Sequence, residues 1–443
     1  LKVFGTAGIR GVFNRSQTLD QIHKVAETTA FVFGRGDYSV AWDGRKSSFI
    51  LANVIISAVT EVGSNVIVFG MIPTPVLAFG TREAGCLSGF SVTASHNPPE
   101  FSGVKIFNPK GMELDEEDEM KIERVLALEF AKNIKDFGRI TFYEDIIDNY
   151  IDALLLRFEP AKKKLKIVVD CVNSPGAFVT PNILEKLGHK VLAINSQISW
   201  LFPAREPEPT SESLRDVANI VVSLGADLGF AHDSDADRIV MLNSFGQVVP
   251  DSIISIIMMK SLGQESGSII LSENCSSAVE EEAERLGLHV IRSKIGKTFT
   301  LLEKENAIFA SEPSKIVDPR WGLWEDGIYS AALIANAISD DSSLRDLANA
   351  GVGWYYRQVS VPFVVDFTDL KRVVEEEFSK FRISEKREID GLKLIFKDES
   401  WIMFRQSGTE SKTRIYCETR DKMKLEELLQ VGMKCVENLR MLR

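Results

Sequence analysis

Short apolar runs alternate with helix-like stretches along most of this chain. Ser39 to Trp42 and Asn65 to Phe69 read as buried strands, with a helix-like stretch from Ser47 to Val62 between them. A strand from Gly89 to Val92 follows the turn at Pro73-Thr74-Pro75, and the charged segment Asp115 to Phe130 reads as a surface helix. The layout then restarts. Lys166 to Asp170 is a strand, Pro181 to Leu187 a helix ending at Gly188, and Lys190 to Ile194 and Ala226 to Ala231 are further strands. A third round runs through Ser268 to Leu271, a helix through Glu280 to Leu286, His289 to Ile291 and Ala307 to Ala310. Alternation of this kind predicts an α/β fold with mostly parallel sheets and crossover helices.

The last segment is patterned differently. Gly353 to Phe363, Leu392 to Phe396, Trp401 to Phe404 and Arg414 to Glu418 read as strands, with helices at Asp369 to Phe381 and Lys422 to Leu442, an α+β order. A chain of 443 residues suggests about three domains by length. The restarts raise that to four: 1–150, 151–245, 246–355 and a smaller 356–443.

Composition narrows the function. Net charge is −11, a poor match to nucleic acid or an anionic membrane as partner. The five cysteines are far apart and odd in number, which disfavours a disulfide framework or zinc site and suggests a reducing compartment. Leu1 to Gly5 have no leader-peptide pattern, and the absent initiator Met suggests a missing residue or two. The charge-free stretch Val62 to Thr81 could span a bilayer by length, but Gly63, Gly70, Pro73 and Pro75 argue for a strand and a proline turn. The expectation is a cytoplasmic protein with no membrane partner.

Four segments carry candidate chemistry. In His232-Asp233-Ser234-Asp235-Ala236-Asp237-Arg238 the carboxylates alternate, so in an extended loop they would project to one side and repel unless a hard cation lay between them. Mg²⁺ or Ca²⁺ takes such oxygens; an EF-hand is excluded by Arg238 and Ser244 at its sixth and twelfth positions. Thr93-Ala94-Ser95-His96-Asn97-Pro98-Pro99 follows an apolar strand, with small residues leaving the Ser95 hydroxyl accessible; by itself it also fits a plain Asn-Pro turn. Arg405-Gln406-Ser407-Gly408-Thr409 through Arg414 has the glycine, hydroxyls and guanidinium groups that a phosphate cradle needs, and fits a polar hairpin equally well. Phe4-Gly5-Thr6-Ala7-Gly8-Ile9-Arg10-Gly11 is a weaker anion-site candidate. Gly296-Lys297-Thr298 is no P-loop, because Ile291 stands where the first glycine is required.

Taken together and in this order, the four segments resemble the α-D-phosphohexomutase family, over essentially the whole chain. The resemblance implies three related α/β domains with mixed, mostly parallel sheets, and a smaller C-terminal α+β domain around a central cleft. It implies an intramolecular phosphotransferase that interconverts hexose 1-phosphate and hexose 6-phosphate (mannose or glucose) through a phosphoserine and a hexose 1,6-bisphosphate. By that resemblance Ser95 carries the phosphoryl group. Asp233, Asp235 and Asp237 hold Mg²⁺, with the Ser95 phosphate as a further ligand. Arg238 neutralises the phosphoserine, Lys105 serves in acid/base chemistry, and Arg10 and His96 lie close by. Glu312 and Ser314 match a sugar-recognition loop, which Lys315 joins. Arg405, Ser407, Gly408, Thr409 and Arg414 match the grip on the non-reacting phosphate.

The chain departs from the family pattern at the sugar loop. The usual G-E-x-S-G reads Ser311-Glu312-Pro313-Ser314-Lys315, with Ile316 where a His usually follows. Lys297 stands where relatives often have Asp, Ser102 replaces a common Asn, and Ser411 replaces a Pro. These changes put the sugar in question, so a phosphoglucosamine mutase is the alternative within the family. A Mg²⁺-dependent sugar phosphatase and a non-catalytic sugar-phosphate binder are the alternatives outside it. The oligomeric state stays open, a homodimer included.

Overall fold

The computed structural model describes residues 3–5, 8–128, 136–263, 266–350, 353–406 and 412–441. The chain forms two compact units: Leu1–Leu262 with Ser314–Asn349, and Gly263–Pro313 with Ala350–Arg443.

The first unit holds two mixed sheets. One has six strands in the order Ile9–Val12, Phe101–Phe107, Ser88–Val92, Asp37–Trp42, Asn65–Met71 and Ile140–Phe142. Its last four strands pair in parallel, while Phe101–Phe107 runs antiparallel to both of its neighbours. Val40, Val68, Phe90 and Val104 from this sheet pack with Val25, Leu51 and Ile55 from the helices Leu19–Phe33 and Ser48–Glu61. The second sheet has the order Ile239–Asn243, Leu228–His232, Lys166–Asp170 and Lys190–Ile194, parallel except for its first pair. The helix Gly327–Asp340 is buried on nearly every side, and Asp326 caps it by accepting from the Ile328 and Tyr329 amides.

In the second unit, Leu288–Ser293, Gly267–Ser272 and Phe309–Glu312 pair in parallel. A five-stranded sheet follows, in the order Tyr355–Val361, Thr413–Thr419, Trp401–Gln406, Leu392–Phe396 and Ile383–Arg387, antiparallel throughout. The helices Phe367–Glu377 and Lys422–Met441 cover one face with Leu370, Val374, Leu428 and Val436.

The α/β pattern and the distinct last segment are therefore present. The stretch Val62 to Thr81 differs from expectation: after the strand it opens a helix, Thr74–Glu83, with Pro75 in its first turn. Proline at that position costs no hydrogen bond, so the residue read as a breaker is a starter. No described helix is long and apolar enough to cross a membrane.

Candidate active site

Two loops leave the C-terminal ends of parallel strands and meet in the first unit. One follows Ser88–Val92 and carries Ser95; the other follows Leu228–His232 and carries the three aspartates. The Ser95 hydroxyl donates to Asp233 Oδ2 at 2.6 Å. Ser95 itself sits at φ 50°, a left-handed conformation that costs a non-glycine residue energy and must be held by its surroundings.

Arg45 holds it. This guanidinium is wholly buried and pairs with Asp43. Nη2 donates to the carbonyls of Ser95 (2.6 Å) and Asn97 (2.7 Å), and Nη1 to that of Pro98 (2.7 Å). Asp43 in turn accepts from the Thr93 and Ser48 hydroxyls, and the Ser234 hydroxyl reaches the Ser95 carbonyl at 2.7 Å. Neither Asp43 nor Arg45 stood out in the sequence. The available signal was a charge-bearing turn, Asp43-Gly44-Arg45, directly after a strand.

The aspartate loop is not extended. It turns tightly, with Ala236 at φ 57°, and the turn rather than a two-residue alternation groups the carboxylates. One oxygen from each of Asp233, Asp235 and Asp237 lies within 4.8 Å of the others. Thr74 contributes its hydroxyl to Asp235 at 2.8 Å. His232 braces the loop from its buried side. Its Nδ1–H donates to the Arg238 carbonyl at 2.8 Å, so Nε2 accepts from the Thr180 hydroxyl at 3.0 Å. Burial pushes this imidazole down to about 4, which keeps it neutral. Gly327, first residue of its helix, backs onto the same loop: a Cβ there would lie 2.3 Å from the Arg238 carbonyl oxygen.

Four cations surround the carboxylates. Arg10 lies opposite Gly103 in the antiparallel pair, so Lys105, two residues on, shares its face of the sheet. The Lys105 ammonium pairs with Asp237, with Asp235 at 3.0 Å and with Glu113 at 3.6 Å. Arg238 Nε is 3.8 Å from Asp233 and 4.0 Å from Asp237. Lys315 pairs with Glu325 and lies 3.7 Å from Asp237. His96 Nδ1 is 3.5 Å from the Ser95 hydroxyl.

Burial and crowding among the carboxylates push Asp233 well up. Burial would raise Asp237 too, but Lys105, Lys315 and Arg238 outweigh it and hold that carboxyl well below its usual range. Burial opposes the charge on Lys105, yet Asp235, Asp237 and Glu113 hold it well above the usual ammonium range. Burial, then Arg238 and Arg10, drive His96 far down, leaving it neutral. The residues fit a hard divalent cation. Three carboxylates converge, and the buried Asp235 Oδ1 and Asp237 Oδ1 have no hydrogen-bond partner among the described residues.

The sugar-loop residues are engaged with protein. Ser314, in the first unit, donates to Asp251 Oδ1 at 3.1 Å. Glu312, in the second, accepts from the Gly296 amide at 2.8 Å and the Thr298 hydroxyl at 2.9 Å. Arg405 and Arg414, also in the second unit, face each other across the hairpin strands. Ser407, Gly408 and Thr409 lie outside the described residues. The residues brought together in the first unit are thus Arg10, Ser95, His96, Lys105, the three aspartates, Arg238, Ser314 and Lys315. Thr74, Glu113 and Glu325 join them unforeseen, because only the tertiary fold brings those loops into reach.

Comparison with known proteins gives the family of the chain. Residues 1–132, 148–245 and 249–354 match the phosphoglucomutase/phosphomannomutase alpha/beta/alpha domains I, II and III. The "Phosphopentomutase" of Thermococcus kodakarensis is 33% identical over 446 residues, covering 99% of this chain and 98% of its own. The "Probable phosphoglucosamine mutase" of Methanobrevibacter smithii is 31% identical, covering 98% of each chain. A phosphoglucomutase/phosphomannomutase family protein from Burkholderia thailandensis shares the fold, with a TM-score of 0.86 at 23% identity over 99% of this chain and 98% of that one.

Proposed function

The chain belongs to the phosphoglucomutase/phosphomannomutase family of mutases, and from that premise we propose that it moves a phosphoryl group between two hydroxyls of one sugar phosphate by way of Ser95. The observation that carries the reading is the Ser95 hydroxyl on Asp233 at 2.6 Å, with Asp235, Asp237, Lys105 and Arg238 packed around it. Phosphoryl transfer demands positioning and charge neutralisation more than covalent invention. Arg45 and Ser234 fix the Ser95 backbone, and Arg238 and Lys105 set positive charge beside its oxygen. Asp233, Asp235 and Asp237 would hold Mg²⁺, which when bound neutralises charge on the transferring group.

In the proposed cycle the phosphate on Ser95 passes to the free hydroxyl of a hexose 1-phosphate. The serine O–P bond breaks, a sugar O–P bond forms, and the hydroxyl proton ends on Ser95. The resulting 1,6-bisphosphate turns round and returns its other phosphate to Ser95. Arg405 and Arg414, flanking residues 407–411, are proposed to grip the phosphate that is not reacting.

For the sugar, the relatives favour glucosamine phosphate over mannose or glucose phosphate, and the Thermococcus kodakarensis relative adds a pentose phosphate as the second reading. The buried Lys315 stands in place of the usual glycine, so the chain departs from the family pattern in the loop proposed to recognise the sugar. We also retain 1–150, 151–245, 246–355 and 356–443 as the proposed domains and the cytoplasm as the proposed location.

The test is a coupled assay with glucosamine, glucose, mannose and ribose 1-phosphates, Mg²⁺ and a trace of sugar bisphosphate. Ser95→Ala should lower turnover by about a thousandfold or more, and chelation of Mg²⁺ should do the same to the wild type. Near-normal turnover by Ser95→Ala would sink the assignment, and stoichiometric release of inorganic phosphate would make the protein a phosphatase.

A further inference from the structure

We propose that Asp390 is a positioning residue for substrate recognition, locking Arg405 and the loop 294–298 into one preassembled block. The proposal rests on the reading of Arg405 as a phosphate ligand.

The contacts all lie within the second unit. Asp390 stands just before the strand Leu392–Phe396 and is 16% exposed at its side chain. Its Oδ2 accepts from Arg405 Nε at 2.7 Å and from the Ile295 amide at 2.9 Å. One carboxylate oxygen therefore joins a strand of the C-terminal sheet to a loop that follows the strand Leu288–Ser293. The Ile295 side chain reinforces the joint by packing on the apolar face of Trp401, Met403 and Tyr416.

The other half of that loop is held from a different strand. Glu312, at the end of Phe309–Glu312, places both oxygens 2.8 Å from the Gly296 amide and accepts from the Thr298 hydroxyl. Two carboxylates thus fasten Ile295, Gly296 and Thr298 within one five-residue loop. By this arrangement Glu312 acts through the loop rather than by direct reach.

The charge pattern gives Asp390 its specific task. Arg405 and Arg414 are cross-strand partners, and two guanidinium groups directly opposite one another repel. The Asp390 carboxylate on Arg405 Nε offsets that repulsion and fixes the plane of the guanidinium fork. Arg405 is only 8% exposed, so an unpaired charge there would be costly. Without Asp390 the fork would swing away, and the loop 294–298 would lose its link to the C-terminal sheet.

The experiment compares wild type, Asp390→Asn, Asp390→Glu, Arg405→Ala and the double variant Asp390→Asn/Arg405→Ala. The substrate is whichever sugar 1-phosphate the wild type turns over fastest, and inorganic phosphate serves as a competitive inhibitor. Asp390→Asn is nearly isosteric and should raise KM and the phosphate Ki together by about tenfold, with kcat within about twofold. Asp390→Glu should recover part of the loss. The double variant should be impaired by less than the product of the two single effects, because both act in part through one guanidinium. Independent, multiplicative effects of the two substitutions, or an unchanged KM in Asp390→Asn beside a raised KM in Arg405→Ala, would overturn the proposal. An unchanged KM in Arg405→Ala would instead overturn the phosphate-grip reading. A thermal melt of Asp390→Asn matching wild type separates misplacement from unfolding, and a collapsed melt with no KM shift in Asp390→Glu counts against positioning.

Discussion

Arg45→Met removes the clamp on the Ser95 turn while preserving most of its bulk. The wild-type guanidinium makes short bonds to the carbonyls of Ser95, Asn97 and Pro98, with a longer one to Phe101 at 3.3 Å, and pairs with the buried Asp43. Phe202 stacks over it with its ring centroid 5.1 Å away. Removing one partner of a buried, hydrogen-bonded ion pair costs about 3–5 kcal/mol, because the other charge stays behind unpaired. Every 1.4 kcal/mol is tenfold, so opening of the turn should become more frequent by a factor on the order of 100 to 4,000. Hydrogen exchange read by mass spectrometry on peptides spanning residues 93–101 measures this directly. Catalysis should fall as well, by about 100-fold, since a displacement of about 1 Å costs that much in a near-attack geometry. Arg45→Lys should lie between, because an ammonium reaches carbonyls singly and has no planar fork. Unchanged protection of residues 93–101 in Arg45→Met, with turnover within about threefold of wild type, would refute the clamp.

Two further outcomes follow from buried features elsewhere. Gly327→Ala forces a Cβ against the Arg238 carbonyl and lies 2.9 Å from the Ala236 oxygen, both backbone atoms of the aspartate loop; overpacking of this kind costs about 1–3 kcal/mol. The Mg²⁺ concentration for half-maximal activity should rise severalfold, and an unaltered Mg²⁺ titration would show that the loop absorbs the methyl. Lys393 is 2% exposed, and burial, then the nearby Arg292, push its ammonium down to about 7. Above that pH the folded state has shed a proton that the unfolded chain keeps up to about 10.4, so this group makes stability rise with pH across that window by at most about 1.4 kcal/mol per unit. Urea unfolding of Lys393→Met between pH 8 and 10 should show a shallower rise than wild type; parallel slopes would mean that Lys393 stays charged.

Much of the site was legible because its chemistry is concentrated in short segments. The aspartate cluster announced itself by spacing, although its geometry comes from a left-handed Ala236 that spacing cannot reveal. Arg10 lay in a weak glycine-rich candidate and Lys105 was reachable only by resemblance, since the strands carrying them, Ile9–Val12 and Phe101–Phe107, pair antiparallel across a long sequence gap. The helix Gly327–Asp340 was missed for a physical reason: apart from Asn336, Ile328 to Ile338 are apolar or small on all faces, so burial erased the amphipathic period. Asp43 and Arg45 were missed because a charged pair after a strand is ordinarily a surface turn, and only the folded chain shows both wholly buried.

The unsatisfied polar atoms around the aspartate loop point in two opposite directions at once. Asp235 Oδ1 and Asp237 Oδ1 are acceptors without a hydrogen-bond partner among the described residues, and Arg10 Nε, Arg10 Nη2 and Arg238 Nε are donors in the same position. Each such buried group costs about 1–3 kcal/mol. Acceptors of that kind call for a cation and donors for an anion, so neither a metal alone nor a phosphate alone would satisfy the cluster, whereas a divalent cation with a phosphoryl group would satisfy both. The departure at Lys315 leaves this balance intact. Its ammonium is matched by Glu325, so the two enter the cluster as a neutral pair beside Asp237. A lysine whose charge is matched in this way adds bulk to the loop without leaving an unpaired cation beside the aspartates.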